Sequence, residues 1–540
     1  MMSFPRPDPE RARRYYATRY WRDETIGQLI AATTTVMPDK VAVRDASGAS
    51  LTYHDLDQQS NRLAGFLASR GVGPGDIVTI CQPNWCHTVL AFCAVLKLGA
   101  VINPLPVTYG RAELSFAIGK CRSKALLIAA KFRSSDYTEM VATLDPSLAA
   151  DLTIVRIGSG THAMGTSFED TLAHAPITAP HVGEADDACA VLFTSGTESR
   201  SKGGVHTHNT ILFGERAMAS ALDVGPGDVA FMASPISHAT GFLHGFVMTL
   251  TTGGTLSLLD VFQGAVAAAQ MRAHQCTWTM GATPFLVDTV AALKAAGETL
   301  PHLRYFLCGG AQVPEEPVQE ASAIGLRVLS IYGATESPPH TIVHPTDPLE
   351  NSWLSDGRPL EGIEVRIVGE DGIDLPRGEI GEEWSRGPNT FLGYLDEPEL
   401  TAKTLDAEGW VHSGDLARFL PDGSIRIAGR LKDIIVRGGQ NISVAEVENY
   451  LMSHPAVKSV AVVAVPHPRL GETGCAVVVA APGYTPTLAD LTAFLIDKGV
   501  ARFKLPERLE LWPALPVTPS GKIQKFLIRQ KLAATGKTPS

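Results

Sequence analysis

Residues 191–205 have the composition of a loop that could hold phosphate. Residues 191–193 (VLF) predict a short strand, and residues 194–204 read TSGTESRSKGG. Hydroxyl groups and free backbone N–H groups can surround phosphate oxygens, and Lys202 would neutralise part of their charge. The Walker pattern of glycines followed by Gly-Lys-Ser/Thr is absent, and segments rich in Ser, Thr and Gly are more often plain loops. Taken alone, the segment therefore leaves phosphate binding open.

Four further motifs follow this loop in a fixed order: residues 332–337 (YGATES), 409–415 (GWVHSGD), 429–433 (GRLKD) and 519–522 (PSGK). Together the five motifs resemble the core motifs of the adenylate-forming, or AMP-binding, superfamily in its acyl-CoA synthetase branch. The loop with residues 206–210 looks most like cyclohexanecarboxylate-type and medium-chain acyl-CoA ligases. The resemblance covers roughly residues 25–530, and five ordered motifs are far more specific than any one of them.

The loop departs from the pattern that it resembles. The family's usual loop reads Thr-Ser-Gly-Thr-Thr-Gly-x-Pro-Lys-Gly, and here Glu198, Ser199 and Ser201 replace Thr, Gly and Pro. A carboxylate beside a triphosphate should weaken nucleotide binding unless it is turned outward or shares a cation.

The resemblance implies sites for ATP, Mg²⁺ and coenzyme A. Tyr332 would supply a stacking face for adenine, and the carboxylate of Glu336 would hold Mg²⁺, which prefers oxygen ligands. Asp415 would accept both ribose hydroxyls with its two oxygens. His238 would lie near the acyl carboxylate, although a histidine in a loop is often only structural. Lys522 would act on the reacting phosphate, although lysines in such tails are usually solvated.

The full set of implied residues has three parts. The catalytic residues are Thr335, Glu336, His238 and Lys522, with Glu336 also the metal ligand. The residues that bind nucleotide or coenzyme A are Thr194, Ser195, Gly196, Thr197, Lys202, Gly309, Gly310, Ala311, Tyr332, Gly333, Asp415, Arg430, Lys432, Gly438 and Gly439. The substrate pocket is formed by Gly241, Phe242, Met280, Gly281, Phe285, Cys308 and Pro338.

The apolar patterns predict an α/β protein of two domains. Helix-period and strand-length segments alternate through the first 345 residues, which is typical of parallel strands with crossover helices. We expect a large N-terminal domain over 1–430, with α/β subdomains at 25–184 and 185–345 and a small distorted β-barrel at 346–430. A small, mobile α+β domain over 431–540 should follow, and the resemblance places its hinge at Lys432.

The composition is that of an ordinary globular protein of 540 residues with a net charge of −10. The sequence contains no run of 18 uncharged apolar residues and no apolar core in its charged N-terminal segment, so neither a membrane span nor a secretory signal is expected. The eight cysteines form no CxxC pair, which favours reduced thiols and a cytoplasmic location. The charge gives little support for a nucleic-acid partner, and a homodimer is possible.

The function expected from the resemblance is ATP-dependent ligation of a carboxylic acid to coenzyme A. The acid would first be adenylated with release of pyrophosphate, and the thiol of coenzyme A would then displace AMP. The bulky and small groups in the pocket suit a medium-chain, alicyclic or aromatic acid. Two alternatives stay open: an adenylation enzyme that loads a carrier protein, and a non-catalytic protein that binds ATP or an acyl-adenylate. An amino-acid substrate would require an acidic residue near His238, and residues 231–246 contain none.

Overall fold

The computed structural model describes residues 4–181, 183–194, 201–310, 312–437, 440–467, 469–498, 500–518 and 521–534. The first part of the chain alternates strands and helices, as the apolar pattern predicts. Its elements are Pro9–Ala17 (α1), Ile26–Val36 (α2), Val41–Asp45 (β1), Ser50–Thr52 (β2), Tyr53–Ser69 (α3), Ile77–Cys81 (β3), Cys86–Lys97 (α4), Val101–Pro104 (β4), Arg111–Cys121 (α5), Ala125–Ala129 (β5), Lys131–Phe132 (β6), Ser135–Asp136 (β7), Tyr137–Ala142 (α6), Pro146–Ala149 (α7), Thr153–Ile157 (β8), Thr166–Ser167 (β9) and Phe168–Thr171 (α8).

The second part repeats the alternation after an antiparallel hairpin. Its elements are Ala188–Thr194 (β10), Lys202–Thr207 (β11), His208–Leu222 (α9), Val229–Met232 (β12), a π-helix at Thr240–Met248, Thr249–Thr251 (α10), Thr255–Leu258 (β13), Gly264–Ala273 (α11), Trp278–Gly281 (β14), Thr283–Ala296 (α12), Tyr305–Gly309 (β15), Glu315–Ala323 (α13), Val328–Ala334 (β16), Ser337–Ile342 (β17) and Asn351–Leu354 (α14).

The remaining elements are short strands and the C-terminal α+β unit. They are Arg358–Pro359 (β18), Glu364–Val368 (β19), Gly381–Arg386 (β20), Gly393–Tyr394 (β21), Pro398–Thr404 (α15), Val411–Phe419 (β22), Ile425–Arg430 (β23), a 3₁₀ turn at Leu431–Asp433, Ile434–Arg437 (β24), Gln440–Ser443 (β25), Val444–Met452 (α16), Val457–His467 (β26), Gly471–Ala480 (β27), Leu488–Asp497 (α17), a 3₁₀ turn at Arg502–Lys504, Arg508–Leu511 (β28) and Lys525–Ala534 (α18).

Two large sheets carry the N-terminal part of the protein. One has the order β18-β17-β16-β15-β14-β12-β13-β1-β2, and the other has the order β21-β11-β10-β4-β3-β5-β8-β9. Strands from both halves of the sequence enter each sheet, because β1 pairs in parallel with β13 and β10 pairs in parallel with β4. Strands from before and after residue 184 therefore pair with each other. The subdomain boundary expected there stays a prediction.

Helix α4 is almost completely buried in the N-terminal core. Eleven of its residues are buried, and they include Lys97 at its C-terminal end. The Lys97 ammonium donates to the carboxylate of Asp57 at 2.7 Å and to the side-chain oxygens of Ser60 and Asn61 at 2.8 Å each. These partners replace water, so a charge that would be costly alone is tolerated in the core.

The short strands after residue 358 form an open sheet instead of the small barrel that the sequence predicts. Strands β19, β20, β22 and β23 pair in that order and are all antiparallel, and among the described residues β19 and β23 do not pair to close the sheet. In the C-terminal unit, the long β26–β27 hairpin carries β24 and β28. The α/β class and the smaller α+β unit are as predicted.

All eight cysteines are buried free thiols. In the part of the chain that the structure describes, no helix is both long and apolar enough to cross a membrane.

Candidate active site

The predicted phosphate loop connects two strands of a tight hairpin. Thr194 at the end of β10 lies opposite Lys202 at the start of β11. Residues 195–200 between them lie outside the described residues, and with them the predictions for Ser195, Gly196 and Thr197. The hairpin nevertheless fixes where the loop leaves and re-enters the sheet.

A tyrosine that sequence reasoning did not select joins Lys202 to Glu336. The Lys202 ammonium lies 5.6 Å from the centroid of the Tyr394 ring, and the Tyr394 hydroxyl donates to Glu336 Oε1 at 2.5 Å. Tyr394 reaches this place because β21 pairs with β11, where it lies opposite Gly204. The cation and the carboxylate implied in phosphate and metal binding therefore share one aromatic neighbour.

A buried histidine holds the turn that carries Thr335 and Glu336. His206 Nε2 lies 2.7 Å from the carbonyl oxygen of Thr335, and its Nδ1 lies 3.2 Å from the Thr210 hydroxyl. A carbonyl oxygen can only accept, so Nε2 carries the proton. Burial lowers the pKa of His206 to about 4, so the ring stays neutral at physiological pH.

Tyr332, Asp415 and Arg430 form a chain of contacts. The Tyr332 hydroxyl donates to Asp415 Oδ2 at 2.8 Å, and Arg430 Nε lies 3.0 Å from Asp415 Oδ1. Burial, followed by the nearby carboxylates of Asp415 and Glu383, raises the pKa of Tyr332 well above its usual value. The phenol therefore remains protonated and donates to Asp415.

Glycines let the end of strand β15 pass close to its neighbour. A Cβ on Gly309 would lie 2.6 Å from the carbonyl oxygen of Ile331, and Gly310 has a φ of +85°. Both positions favour glycine for steric reasons. The prediction for Ala311 lies outside the described residues. Gly333 lies near Pro339, with 3.1 Å between a built Cβ and the Pro339 Cα.

His238 and Lys522 lie within electrostatic range of each other although about half of the sequence separates them. His238 Nδ1 accepts from the backbone N–H of Thr240 at 3.3 Å, which leaves Nε2 to carry the ring proton. Burial, followed by the charges of Lys522 and His244, lowers the pKa of His238 to about 4. Lys522 is thus close enough to His238 to affect its protonation.

Lys522 lies in a crowded cleft beside several charged groups. Desolvation, followed by the Arg430 guanidinium, lowers the pKa of Lys522 to about 8. Three carboxylates oppose this shift and so lie within electrostatic range: Asp415, Asp433 and Glu336. More than a third of the Lys522 residue surface stays open to solvent, so the shift reflects crowding by protein atoms and not full enclosure.

The predicted pocket residues lie at the ends of the parallel strands β14 and β15, on the π-helix, in the first turn of α12 and in β17. Gly281 of β14 pairs with Cys308 of β15, and Met280 precedes it. Phe285 packs against Phe262, and Pro338 lies buried in β17. On the π-helix, Phe242 is fully buried against Phe92, and a Cβ on Gly241 would lie 2.3 Å from the Pro235 carbonyl oxygen. π-Helical turns are frequent at functional sites.

An acidic side chain does lie near the His238 segment, but it comes from elsewhere in the sequence. Glu215 of α9 places Oε2 2.9 Å from His244 Nδ1, and both side chains are buried. Looking only along residues 231–246 could not find it, because α9 packs against the π-helix from a different part of the chain. Its direct partner is His244.

Residues 30–395 match the AMP-binding enzyme family, and residues 446–522 match the AMP-binding enzyme C-terminal domain family. The chain belongs to the AMP-binding enzyme family. This confirms the assignment made from the five motifs, and members of the family that are acyl-CoA ligases use ATP and coenzyme A.

Three curated relatives of this AMP-binding enzyme match nearly its whole length. The medium-chain fatty-acid–CoA ligase of Escherichia coli (strain K12) is 40% identical over 97% of this chain and 93% of its own. The feruloyl-CoA synthase of Amycolatopsis sp is 33% identical over 94% of this chain and 99% of its own. The salicyl-AMP ligase / salicyl-S-ArCP synthetase of Mycobacterium tuberculosis (strain ATCC 25618 / H37Rv) is 32% identical over 98% of this chain and 94% of its own.

Solved structures share the arrangement of both domains. ATP-bound MatB from Rhodopseudomonas palustris superposes with a TM-score of 0.85 at 28% identity, over 95% of this chain and 100% of that one. The anthranilate CoA ligase AuaEII superposes with a TM-score of 0.87 over 95% of this chain and 98% of that one. Its sequence is only 23% identical, so it supports the fold alone.

Proposed function

We propose that this AMP-binding enzyme is an ATP-dependent carboxylic acid:CoA ligase that forms an acyl-adenylate and then a thioester. One observation carries the proposal. The turn that carries Lys522 packs against the N-terminal region, where Gly521 lies near Ala282 and Pro284. There the Lys522 charge is within electrostatic range of Glu336, Asp415 and His238. A mobile cation beside the implied ribose, metal and acyl residues is what adenylation requires.

The first half-reaction gives the acid a good leaving group. A carboxylate cannot expel oxide, but an acyl-adenylate can expel AMP. The acid's carboxylate attacks the α-phosphorus of ATP, and pyrophosphate departs. Tyr332 and Asp415 orient the nucleoside, and Lys202 with residues 194–197 receives the triphosphate. Lys522 offsets the negative charge that accumulates where the carboxylate meets the phosphate. Neutral His238 presents its Nε2–H at the acyl end.

The residues of this site fit a magnesium ion. No group of three His, Cys, Asp or Glu side chains that could hold a metal occurs among the described residues, so the protein offers Glu336 and leaves the other positions to phosphate and water. One carboxylate with substrate oxygens is a common arrangement for Mg²⁺. Bound there, the ion would neutralise part of the triphosphate charge, and the Tyr394 hydroxyl would orient the carboxylate.

The second half-reaction brings coenzyme A to the acyl-adenylate. The C-terminal unit would turn about Lys432, withdraw Lys522 and bring Gly438 and Gly439, which lie outside the described residues, to the thiol channel. The 3₁₀ turn at Leu431–Asp433 sits between β23 and β24 at the point where the two units join. Such a connection could absorb a rotation without altering either sheet.

The acid is medium-chain, alicyclic or aromatic. The residues implied in the pocket combine bulky Phe285, Met280 and Pro338 with small Gly241 and Gly281, a mixture that suits a compact acid better than a long one. Relatives named for a medium-chain fatty acid and for feruloyl groups match nearly the whole chain. Both kinds of acid suit a compact, largely apolar pocket.

A panel of acids tests the proposal. Medium-chain, alicyclic and aromatic acids would be offered with ATP, Mg²⁺ and coenzyme A, while AMP and acyl-CoA are measured together. At least one acid should give AMP and thioester in equal amounts, and acid-dependent exchange of pyrophosphate into ATP should proceed without coenzyme A. Exchange that absolutely required coenzyme A would overturn the two-step order.

A carrier protein is a second acceptor that one observation favours. The salicyl-S-ArCP synthetase relative matches 98% of this chain. Replacing coenzyme A with a phosphopantetheinylated carrier protein in the same assay distinguishes the two possible acceptors, coenzyme A and the carrier protein. Thioester on the carrier, with none on free coenzyme A, would assign the chain to carrier loading.

A further inference from the structure

A buried acid–base pair lies directly behind the implied ribose carboxylate. Glu383 of β20 and His340 of β17 have fully buried side chains, and Glu383 Oε1 lies 3.4 Å from His340 Nε2. This separation is within ion-pair range but long for a hydrogen bond, and neither atom has another hydrogen-bond partner among the described residues. Each atom therefore depends on the other.

The hydrogen bonds of His340 fix how many protons the pair must hold. His340 Nδ1 lies 2.8 Å from the carbonyl oxygen of Ser337, which can only accept, so Nδ1 carries a proton. If the pair held no other proton, the lone pair of Nε2 would face a bare carboxylate oxygen. A second proton must therefore lie between Nε2 and Glu383 Oε1, and the pair is neutral overall whichever atom holds it.

Glu383 also reaches the tyrosine that holds Asp415. Glu383 Oε2 lies 3.4 Å from the Tyr332 hydroxyl, and that hydroxyl donates to Asp415 Oδ2 at 2.8 Å. The ring of His340 stands edge-on to the ring of Tyr332, with 4.6 Å between centroids. Two buried carboxylates thus face one phenolic proton, and an uncompensated Glu383 would compete with Asp415 for it.

We propose that His340 and Glu383 are positioning residues for the nucleotide: by neutralising Glu383, His340 leaves the Tyr332 proton to Asp415 and fixes both groups for the nucleoside. The inference rests on the proposed function, since it deepens the nucleotide site of the same reaction. It assigns a role to two residues that the five motifs do not contain.

The charges around the pair agree with this role. Burial lowers the pKa of His340, but the carboxylate of Glu383 beside it outweighs this effect and holds that pKa above the usual value. The groups that face the pair are the Tyr332 hydroxyl, the Ser337 carbonyl and the carboxylate of Asp415, which Arg430 neutralises from its other side. Raising the pH through the pKa of His340 would leave Glu383 charged beside Tyr332, so nucleotide binding should weaken.

Binding of AMP by calorimetry, with the full-length protein, tests the role without relying on turnover. His340→Ala should raise the Kd for AMP about tenfold or more, because it leaves a buried charge without its partner. Adding Glu383→Gln to that variant removes the charge, so the double variant should bind AMP at least threefold more tightly than His340→Ala. A cavity left by a lost imidazole would not be repaired in this way. His274→Ala, which removes a partly buried imidazole bonded to Ser257, is the control and should not change the Kd.

An unchanged Kd in His340→Ala, or a double variant as weak as the single one, would overturn the role of the pair. If His340→Ala does not fold, Glu383→Gln still tests the role, because its Kd for AMP should lose the weakening with rising pH that we expect for the wild type. A Glu383→Gln profile that matches the wild type would also overturn it. Failure of the proposed function looks different: a wild-type protein that binds no AMP, or makes no thioester from any acid, would be seen before any variant is made.

Discussion

Lys522 is the residue whose charge depends most clearly on its neighbours. Its pKa of about 8 means that the ammonium is present at pH 7 and is lost as the pH rises through 8. Our proposal needs that charge only while the α-phosphorus is attacked, so we expect pyrophosphate exchange to fall on the alkaline side with a midpoint near pH 8. Thioester formation from supplied acyl-adenylate should not follow this midpoint. The two pH profiles, measured on one preparation, check this.

Replacing Lys522 with alanine tests the same charge at fixed pH. Adenylation should fall by a factor on the order of 100 to 1,000, the size found when one transition-state donor is lost. Lys531→Ala is a suitable control, since its ammonium lies 5.4 Å from the Trp512 ring centroid, in a contact that no proposed step uses. Equal loss of both half-reactions in folded Lys522→Ala would contradict the role.

Tyr394 offers a second test at the scale of single residues. Tyr394→Phe keeps the aromatic face beside Lys202 but removes the hydroxyl that donates to Glu336. We expect the Mg²⁺ concentration for half-maximal adenylation to rise about tenfold, the usual order when a group that orients a metal ligand is lost. Tyr394→Leu, which also removes the ring face, should raise the KM for ATP further. A Phe variant with the wild-type Mg²⁺ dependence would show that the hydroxyl is not needed.

The loop between β3 and α4 fixes the segment that carries His238. The Asn84 amide donates to the carbonyl oxygens of Ser234 at 2.9 Å and Leu259 at 3.1 Å, and its oxygen accepts from the Ile236 N–H at 2.8 Å. One side chain thus ties the ends of β12 and β13 to the opposite sheet. We therefore expect the whole segment, and not His238 alone, to shape the acyl side of the cleft.

Asn84→Ala should therefore affect the acid more than the nucleotide. We expect the KM for the acid to rise about tenfold and the KM for ATP to change much less. Stability should fall by about 2 kcal/mol, because buried backbone groups lose their partners. Steady-state kinetics and urea unfolding measure the two effects. If stability fell while the KM for the acid stayed unchanged, Asn84 would have only a structural role and the prediction would be wrong.

At the scale of the whole molecule, the C-terminal unit must serve two half-reactions from one cleft. In this structure its Lys522 turn rests on the start of α12, where Gly521 lies near Ala282 and Pro284. Asp433 is tied to α18 through Arg529 at 3.1 Å. The Gly521 contact joins the two units, whereas the Asp433–Arg529 ion pair lies within the C-terminal unit. We assign the pose with this contact to adenylation.

Variants that block the other pose should separate the half-reactions. Gly439→Leu would obstruct the thiol channel, and Lys432→Pro would fix the backbone φ at the hinge. Both should let acyl-adenylate accumulate, the reverse of Lys522→Ala. Single-turnover assays that follow adenylate and thioester separately check this. Rapid thioester formation in Lys432→Pro would contradict rotation about that residue.

The sequence by itself determined the family and the α/β class, and it selected candidate polar residues for the cleft. Motif residues such as Glu336, Asp415 and Lys522 could be selected because their types and order are local properties of the chain. Helices such as α3 and α17 were equally readable, since their capping boxes and apolar spacing need no distant partner.

Only the tertiary structure decided which residues meet. Tyr394 and Glu336 are 58 positions apart, and Asn84 and Met232 are 148 apart, so their contacts depend on sheet order and register. The open sheet in place of a barrel, the exchange of strands between the two large sheets and the Glu383–His340 pair have the same origin. The propensity to form a strand is a local property of the sequence. Which strand it pairs with depends on the packing of the whole chain, so the neighbouring residues do not specify it.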